Sequence, residues 1–270
     1  MNCGPIDVPG GRLWCDARGT GAPVVLVHGF SFDLRSWAPQ AEALSGRYRV
    51  IRHDLRGFGR SDVPTGPYSH AEDLAEVIGH LGLHRPLVVG LSLGANVAMA
   101  YALQYPHGLS GLVLASPGLP GHRWTRERPP DAAMAFARDH DLGATRRFWL
   151  DHPMFASLQD HPDARARVAE MVADYGGWHW RNEDMQHPAA ALSDRIAAIK
   201  VPTLVISGGR DDPGYREIAE VIAATIPQAE LLRFDRAGHM VNLEEPDAFN
   251  RAVADFAARC HFPVPSPEAQ

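Results

Sequence analysis

Lysine is almost missing from this chain. Of its 26 Lys and Arg residues, 25 are arginine, and Lys200 is the single exception. A chain with one lysine has one chance at a phosphate-gripping lysine, and Lys200 follows Ile-Ala-Ala-Ile rather than the glycines such a loop needs. A P-loop NTPase is therefore excluded. Arginine keeps its charge, so Lys200 is also the only side-chain amine that burial could convert into a base or imine former. Cysteine is scarce too. Cys3, Cys15 and Cys260 form no CxxC and no paired framework, which fits a reducing compartment and a cytoplasmic location. The N-terminus has neither the basic start nor the apolar stretch of a signal peptide. A basic excess is also lacking: the formal net charge is −6, which argues against a nucleic-acid binder. One stretch without a formal charge, the 20 residues 87–106, could just span a bilayer by length. It reads instead as a buried strand, a turn and a buried helix, so no membrane association is expected.

What is present is an alternation. Short apolar runs at Arg12–Asp16, Val24–His28, Tyr48–Arg52, Leu87–Gly90, Leu112–Ala115, Thr203–Ser207 and Glu230–Phe234 read as strands. Helical patterns fall at Trp37–Leu44, His70–Leu81, Ala95–Tyr105, Arg216–Thr225 and Asp247–Cys260, and Ser69 with Glu72 forms a capping box before the second. Apolar strands separated by helices predict an α/β fold, a mainly parallel sheet with helices on both faces. Between 119 and 199 the alternation stops. Helical patches at Asp131–His140, Ala144–Leu150 and Ala164–Tyr175 replace it, along with four of the six tryptophans, Trp124, Trp149, Trp178 and Trp180. The expected organisation is a core of residues 1–118 and 200–260, a helical cap inserted at 119–199, and a flexible proline-rich tail at 261–270. There is no internal repeat.

The strongest local signal is Gly90-Leu-Ser92-Leu-Gly94, placed after an apolar strand and opening a helix. That context makes it a nucleophile elbow: the turn is so sharp that the flanking positions must be glycine, and the helix N-terminus beneath offers free N–H groups to a developing negative charge. A serine nucleophile needs a base, and the base needs an orienting acid. His239, in the loop between the last strand and the last helix, has the right placement among fourteen histidines. Asp211, three residues after Gly208, is the preferred acid, with the adjacent Asp212 as the alternative. The loop after Leu112–Ala115, where an acid would otherwise fit, has no carboxylate before Glu127. Backbone N–H groups of Phe30 and Leu93 are the candidate oxyanion donors, and Gly29 permits the close approach. His28 is read as holding that loop, and Asp54 with Arg56 as a salt-bridged structural turn.

Taken together, His28-Gly-Phe30, Asp54-Leu-Arg-Gly-Phe-Gly-Arg-Ser61, the Ser92 pentapeptide, Gly208-Gly-Arg-Asp211 and Gly238-His239 resemble the α/β-hydrolase fold superfamily. The resemblance covers about 10–118 and 200–260 and is nearest to the group of 3-oxoadipate enol-lactonases, esterases and cofactor-free haloperoxidases. It implies an eight-stranded sheet with an inserted helical cap, and hydrolysis of a carboxylic ester or lactone through a Ser92–His239–Asp211 triad and an acyl-enzyme. It implies no cofactor and no metal, and a small-molecule ester or lactone as the partner, with monomer or homodimer left open. Ser92 stands where dehalogenases and related epoxide hydrolases have aspartate, and Lys200 lies at the wrong end of its strand for a hydroxynitrile lyase. Carbon–carbon hydrolysis and perhydrolysis use the same triad and remain alternatives, as does a non-catalytic ligand receptor on this fold.

Two other chemistries find little support. His179, His187, Glu183 and Asp184 are the densest ligand-like group, but their spacing matches no zinc motif and they fall in an expected loop. Gly57-Phe-Gly59 is followed by Arg-Ser-Asp rather than a dinucleotide fingerprint. Trp124, Trp149 and Trp178 are candidate pocket residues, indicating an apolar or ring-containing substrate part. Arg123, Arg126, Arg146 and Arg147 are either carboxylate binders or solvated charges on the cap.

Overall fold

The computed structural model describes residues 3–186 and 191–261. Eight strands form one sheet: β1 (Gly4–Val8), β2 (Gly11–Arg18), β3 (Pro23–Val27), β4 (Arg49–His53), β5 (Leu87–Leu91), β6 (Gly111–Ala115), β7 (Thr203–Gly208) and β8 (Ala229–Phe234). Their order across the sheet is β1-β2-β4-β3-β5-β6-β7-β8. The β1–β2 and β2–β4 pairs are antiparallel and the rest are parallel. Val25 registers with Ile51 on one side and Val88 on the other, and all three are fully buried. Central strands β5 and β6 have no exposed residue, as expected of strands covered on both faces.

β1 is the strand that the apolar pattern does not mark. It lies at the sheet edge and alternates, with Ile6 and Val8 buried and Asp7 exposed. It turns into β2 through Pro9-Gly10, with Gly10 at φ 78 and Val8 registered with Gly11. Proline followed by a left-handed glycine is a tight-turn signal, so this hairpin was readable from Val8-Pro-Gly-Gly11. The hairpin also changes the cysteine picture, because it brings the Cys3 and Cys15 thiols within hydrogen-bonding reach of each other.

The core helices are α1 (Ala38–Leu44), α2 (His70–His80) and α3 (Leu93–Gln104) before β6. Ser69 accepts from the Glu72 N–H at the start of α2, as the capping box requires. Between β6 and β7 come α4 (Pro129–Phe136), α5 (Leu142–Leu150), α6 (Pro162–Asp174) and the short α7 (Trp178–Arg181), with a 3₁₀ turn at Pro153–Asp160 and no named strand among the described residues. After β7 the chain forms α8 (Pro213–Thr225), the short α9 (Val241–Glu244) and α10 (Pro246–His261). Of the expected tail at 261–270, His261 ends α10, and residues 262–270 lie outside the described residues. Among the described residues no helix is long and apolar enough to cross a membrane.

The inserted helices are anchored to the core at defined points. Trp149 on α5 donates its indole N–H to Ser31 Oγ at 2.7 Å. Arg35 joins Asp33 to Glu170 and Asp174 of α6 at 2.7, 2.9 and 2.8 Å. The expected Asp54–Arg56 pair does not form. Arg56 instead pairs with Asp73 of α2 at 2.6 Å, both nearly fully buried, while Asp54 accepts the N–H groups of Leu34 and Arg60. Both residues are structural, but they brace different neighbours.

Candidate active site

Ser92 follows the last residue of β5 and caps α3, in the left-handed conformation at φ 53, ψ −108. Such a conformation costs a non-glycine residue of order 1–3 kcal/mol, so the surrounding packing must impose it. The glycines on either side do so. A Cβ at Gly90 would collide with the Gly94 carbonyl, and one at Gly94 with the Val27 carbonyl. The elbow therefore closes tightly and presses α3 against the end of β3. Ser92 itself is 8% exposed and opens into a cavity of about 740 Å³.

His239 lies in the loop after β8. Its Nδ1 is 3.0 Å from each carboxylate oxygen of Asp211, which lies at the end of β7, and both side chains are almost wholly buried. A carboxylate only accepts, so Nδ1 carries a proton, and in the neutral ring Nε2 is then the nitrogen with the lone pair. The Asp212 N–H also donates to Asp211 at 2.7 Å. Asp212 is otherwise engaged: it caps α8 by accepting from the Gly214 N–H at 2.8 Å and faces Arg126 at 3.7 Å. Of the two neighbouring carboxylates, Asp211 is thus the one bonded to histidine. The close approach of the two loops depends on Gly208, where a Cβ would overlap the Gly238 carbonyl.

Phe30 and Leu93 both line the cavity beside Ser92. Among the described residues neither backbone N–H donates to another protein group. The loop carrying Phe30 is fixed by His28, which is fully buried. The Leu55 N–H donates to His28 Nε2 at 2.9 Å, so Nδ1 bears the proton and donates to Gly29 O at 2.8 Å. Burial lowers the His28 pKa to about 4, keeping this brace neutral. The Phe30 ring docks edge-on against Phe58, Trp149, Tyr175 and His179, so one residue presents a backbone donor to the cavity and anchors the inserted helices.

The aromatic expectations divide. Trp124 lines the cavity and packs edge-on against Tyr215 at 5.1 Å. Trp149 does not: it is 1% exposed and used up in packing and in its bond to Ser31. Trp178 lies away from the cavity, in a shallow outer depression beside Gly57. Tryptophan is as useful for seating a cap as for holding a ligand, and composition cannot separate the two uses. None of Arg123, Arg126, Arg146 and Arg147 lines the cavity; Arg146, for instance, donates to the Tyr175 carbonyl at 2.6 Å. Arg128 and Arg195 do line it, and Arg128 is paired with Asp131 at 2.6 Å.

His179 lies in the short helix α7 rather than in a loop. It bonds to the Tyr175 hydroxyl at 2.9 Å, and Tyr68 in turn donates to Asp184 at 2.8 Å. Among the described residues no three His, Cys, Asp or Glu side chains converge as metal ligands, and His187 lies outside the described residues. Lys200 is exposed, bonds the Ala197 carbonyl and precedes β7, at the opposite end of the sheet from Ser92.

Four residues at the site had no role assigned from the pattern. Glu244, buried, accepts the N–H groups of Gly238 and Met240 at 2.7 and 3.0 Å and so clamps the chain on both sides of His239. Tyr215 lies with its ring 4.3 Å from the His239 ring and its phenol beside the Ser92 hydroxyl. His70 and Asn96 line the cavity, and among the described residues His70 Nδ1 and Asn96 Oδ1 are buried without a partner. Only Asn96 had a readable signal, since it falls one helical turn after Ser92.

This arrangement can be set beside known proteins. Residues 22–246 match the family model described as the alpha/beta hydrolase fold. A 2-hydroxy-6-oxononadienedioate/2-hydroxy-6-oxononatrienedioate hydrolase of Burkholderia vietnamiensis is 31% identical over 92% of this chain and 91% of its own length. Among solved structures, a thermophilic esterase from Thermogutta terrifontis is 30% identical with a TM-score of 0.79, covering 95% of this chain and 98% of its own. An enol-lactonase from Burkholderia xenovorans is 27% identical with a TM-score of 0.80, covering 94% and 99%.

Proposed function

The chain belongs to the α/β hydrolase fold family, and from that premise we propose that it hydrolyses a carboxylic ester or lactone through Ser92, His239 and Asp211. The observation that carries this reading is the Asp211–His239 pair at 3.0 Å, joined through Tyr215 to a serine on a strained elbow that opens into a cavity. Ser92 Oγ attacks the substrate carbonyl carbon and gives its proton to His239 Nε2. Asp211 holds the imidazole through Nδ1 and stabilises the imidazolium that forms. The Phe30 and Leu93 N–H groups meet the oxygen as it becomes anionic, and loss of one such donor typically costs about 10²–10³ in rate. His239 then returns the proton to the leaving alcohol oxygen, and the same imidazole activates the water that releases the acyl group. The esterase and enol-lactonase among the similar structures support this choice of substrate class.

A fluorophosphonate probe tests the nucleophile. Intact-protein mass spectrometry should show one adduct on the wild type, mapped to Ser92, and none on Ser92→Ala. Aryl esters, lactones and a ring-cleavage dienone, each run on both proteins, test the substrate class. No adduct at Ser92 sinks the triad. Turnover of the dienone alone would move the assignment to carbon–carbon hydrolysis.

A further inference from the structure

α3 has no solvent face of the usual kind. Its sheet-side residues Ala95, Ala98, Met99 and Ala102 are at most 4% exposed. A second row, Leu93, Asn96, Val97, Ala100, Leu103 and Gln104, follows the three- and four-residue spacing of one helix face. Every residue of that row lines the cavity that contains Ser92. With a rise of about 1.5 Å per residue, the row carries the cavity roughly 18 Å along α3 from Ser92 to Gln104. The insert contributes Leu119, Pro120, Met134 and Leu192 to the lining, and His70, Glu72, Asp184 and Arg195 make other parts of the wall polar. The result is a long cavity with an apolar strip along Leu93, Val97, Ala100 and Leu103, which starts at the candidate nucleophile and ends at an exposed glutamine.

The two arms of an ester do not have equal claims on this channel. The leaving oxygen must take its proton from His239, so the alcohol arm belongs on the side of Tyr215, against the His239 ring. Tyr215 is the only α8 residue among the described residues that lines the cavity, and the row along α3 leads to the insert instead. The geometry points to an extended, unbranched apolar acyl chain, laid along α3 and over Ala100, as the acyl half of the substrate. This rests on the reading of Ser92 as nucleophile. Ala100 is the smallest side chain of the row and sits midway along it, where a larger residue would obstruct the channel. Leu103 is one turn farther out.

The test is a chain-length series of 4-nitrophenyl esters, acetate, butanoate, octanoate and dodecanoate, with kcat and KM measured for each. Burial of successive methylenes strengthens binding in ground and transition state alike, so kcat/KM should rise at least about tenfold from acetate to octanoate, mainly through KM. Ala100→Phe should cut the octanoate-to-acetate ratio of kcat/KM at least about tenfold. Leu103→Trp, farther from Ser92, should cut dodecanoate more than butanoate. Near-ultraviolet circular dichroism and labelling by a small fluorophosphonate check that each variant is folded and its serine reactive.

A flat or falling wild-type series overturns the inference, as does an unchanged ratio in a folded Ala100→Phe. A second series with a fixed acetyl group and lengthening alcohols supplies the other arm; if length matters there instead, the assignment to the acyl half is wrong. When Ser92 labels and acetate turns over but acyl length has no effect, the channel inference fails and the hydrolase reading stands. If Ser92 neither labels nor turns over any ester, that reading fails first and the inference falls with it.

Discussion

Lowering the pH from 7 to 5 should cost this fold at least about 5 kcal/mol, a figure that follows from buried histidines. His28, His53, His70 and His179 interact with one another beside the candidate site, and all are buried. His53 is the extreme case, since among the described residues neither ring nitrogen has a partner. Burial lowers His28 from 6.5 to about 4, His53 to about 3 and His179 to about 4, and takes His70 well below its ordinary value. At pH 5 the unfolded chain protonates these groups and the folded chain does not. Between pH 6.5 and about 4 the unfolded state therefore binds more protons, and stability is lost as pH falls. The gap from 6.5 to 5 is worth about 2 kcal/mol per histidine, so about 6 kcal/mol for His28, His53 and His179 together. Asp54 opposes this: burial raises its carboxyl to about 6, so the folded state takes up its proton first and regains about 1 kcal/mol at pH 5. His70 adds to the loss. Since a domain typically has roughly 5–15 kcal/mol in total, pH 5 should bring the protein close to unfolding. Urea unfolding followed by tryptophan fluorescence at both pH values measures the difference directly. His53→Met removes one titrating group and should shrink the difference by about 2 kcal/mol. A wild-type difference below about 1 kcal/mol, or no change in His53→Met, would refute the reasoning.

Two further outcomes separate chemistry from scaffold. Ser92→Gly removes both the candidate nucleophile and the strain of a left-handed serine, so it should abolish ester turnover while raising unfolding stability by about 1 kcal/mol in urea titration. Asp211→Asn should lower kcat by about 10⁴ through loss of imidazole orientation. Its neighbour Asp212→Ala should cost about 1 kcal/mol of stability as a lost helix cap and change kcat by less than about tenfold. Equal effects of the two aspartate substitutions on kcat would mean that the acid has been misassigned.

The features legible in the chain were those governed by short-range physics. The elbow at Ser92 needs glycines at fixed offsets, a strand before it and a helix after it, and all of these are local. Central strands such as Val24–Val27 and Leu87–Leu91 are apolar on both faces because both faces are covered, and a run of apolar residues shows that directly. Asp211 and His239 were found because the resemblance supplied the chain order and each falls in a loop after a strand, although 28 residues separate them. What escaped was set by tertiary contact. Arg56 chose Asp73 over the nearer Asp54 because α2 packs across its path, and no spacing rule encodes that. Trp149 and Trp178 have the same composition signal as Trp124, yet only Trp124 faces the cavity. Glu244 reads as one carboxylate in an acidic run, and only the folded loop shows it gripping both sides of His239.

α3 is where these separate levels meet, and its faces explain which substitutions should do what. Its N-terminus leaves the Leu93 N–H, the proposed oxyanion donor, without a protein acceptor among the described residues, because the first turn of any helix has unpaired donors. One side, Ala95, Ala98, Met99 and Ala102, packs on the sheet, where added volume would strain the core. The other side, from Leu93 to Gln104, faces the cavity, where added volume meets empty space first. A small-to-large change at Ala98 should therefore register as lost stability, whereas the same change at Ala100, two residues on, should register as altered chain-length preference. The sequence of α3 hints at this division only through Asn96 and Gln104, which both fall on the cavity side of an otherwise largely apolar helix. It follows from having a sheet on one side and a channel on the other.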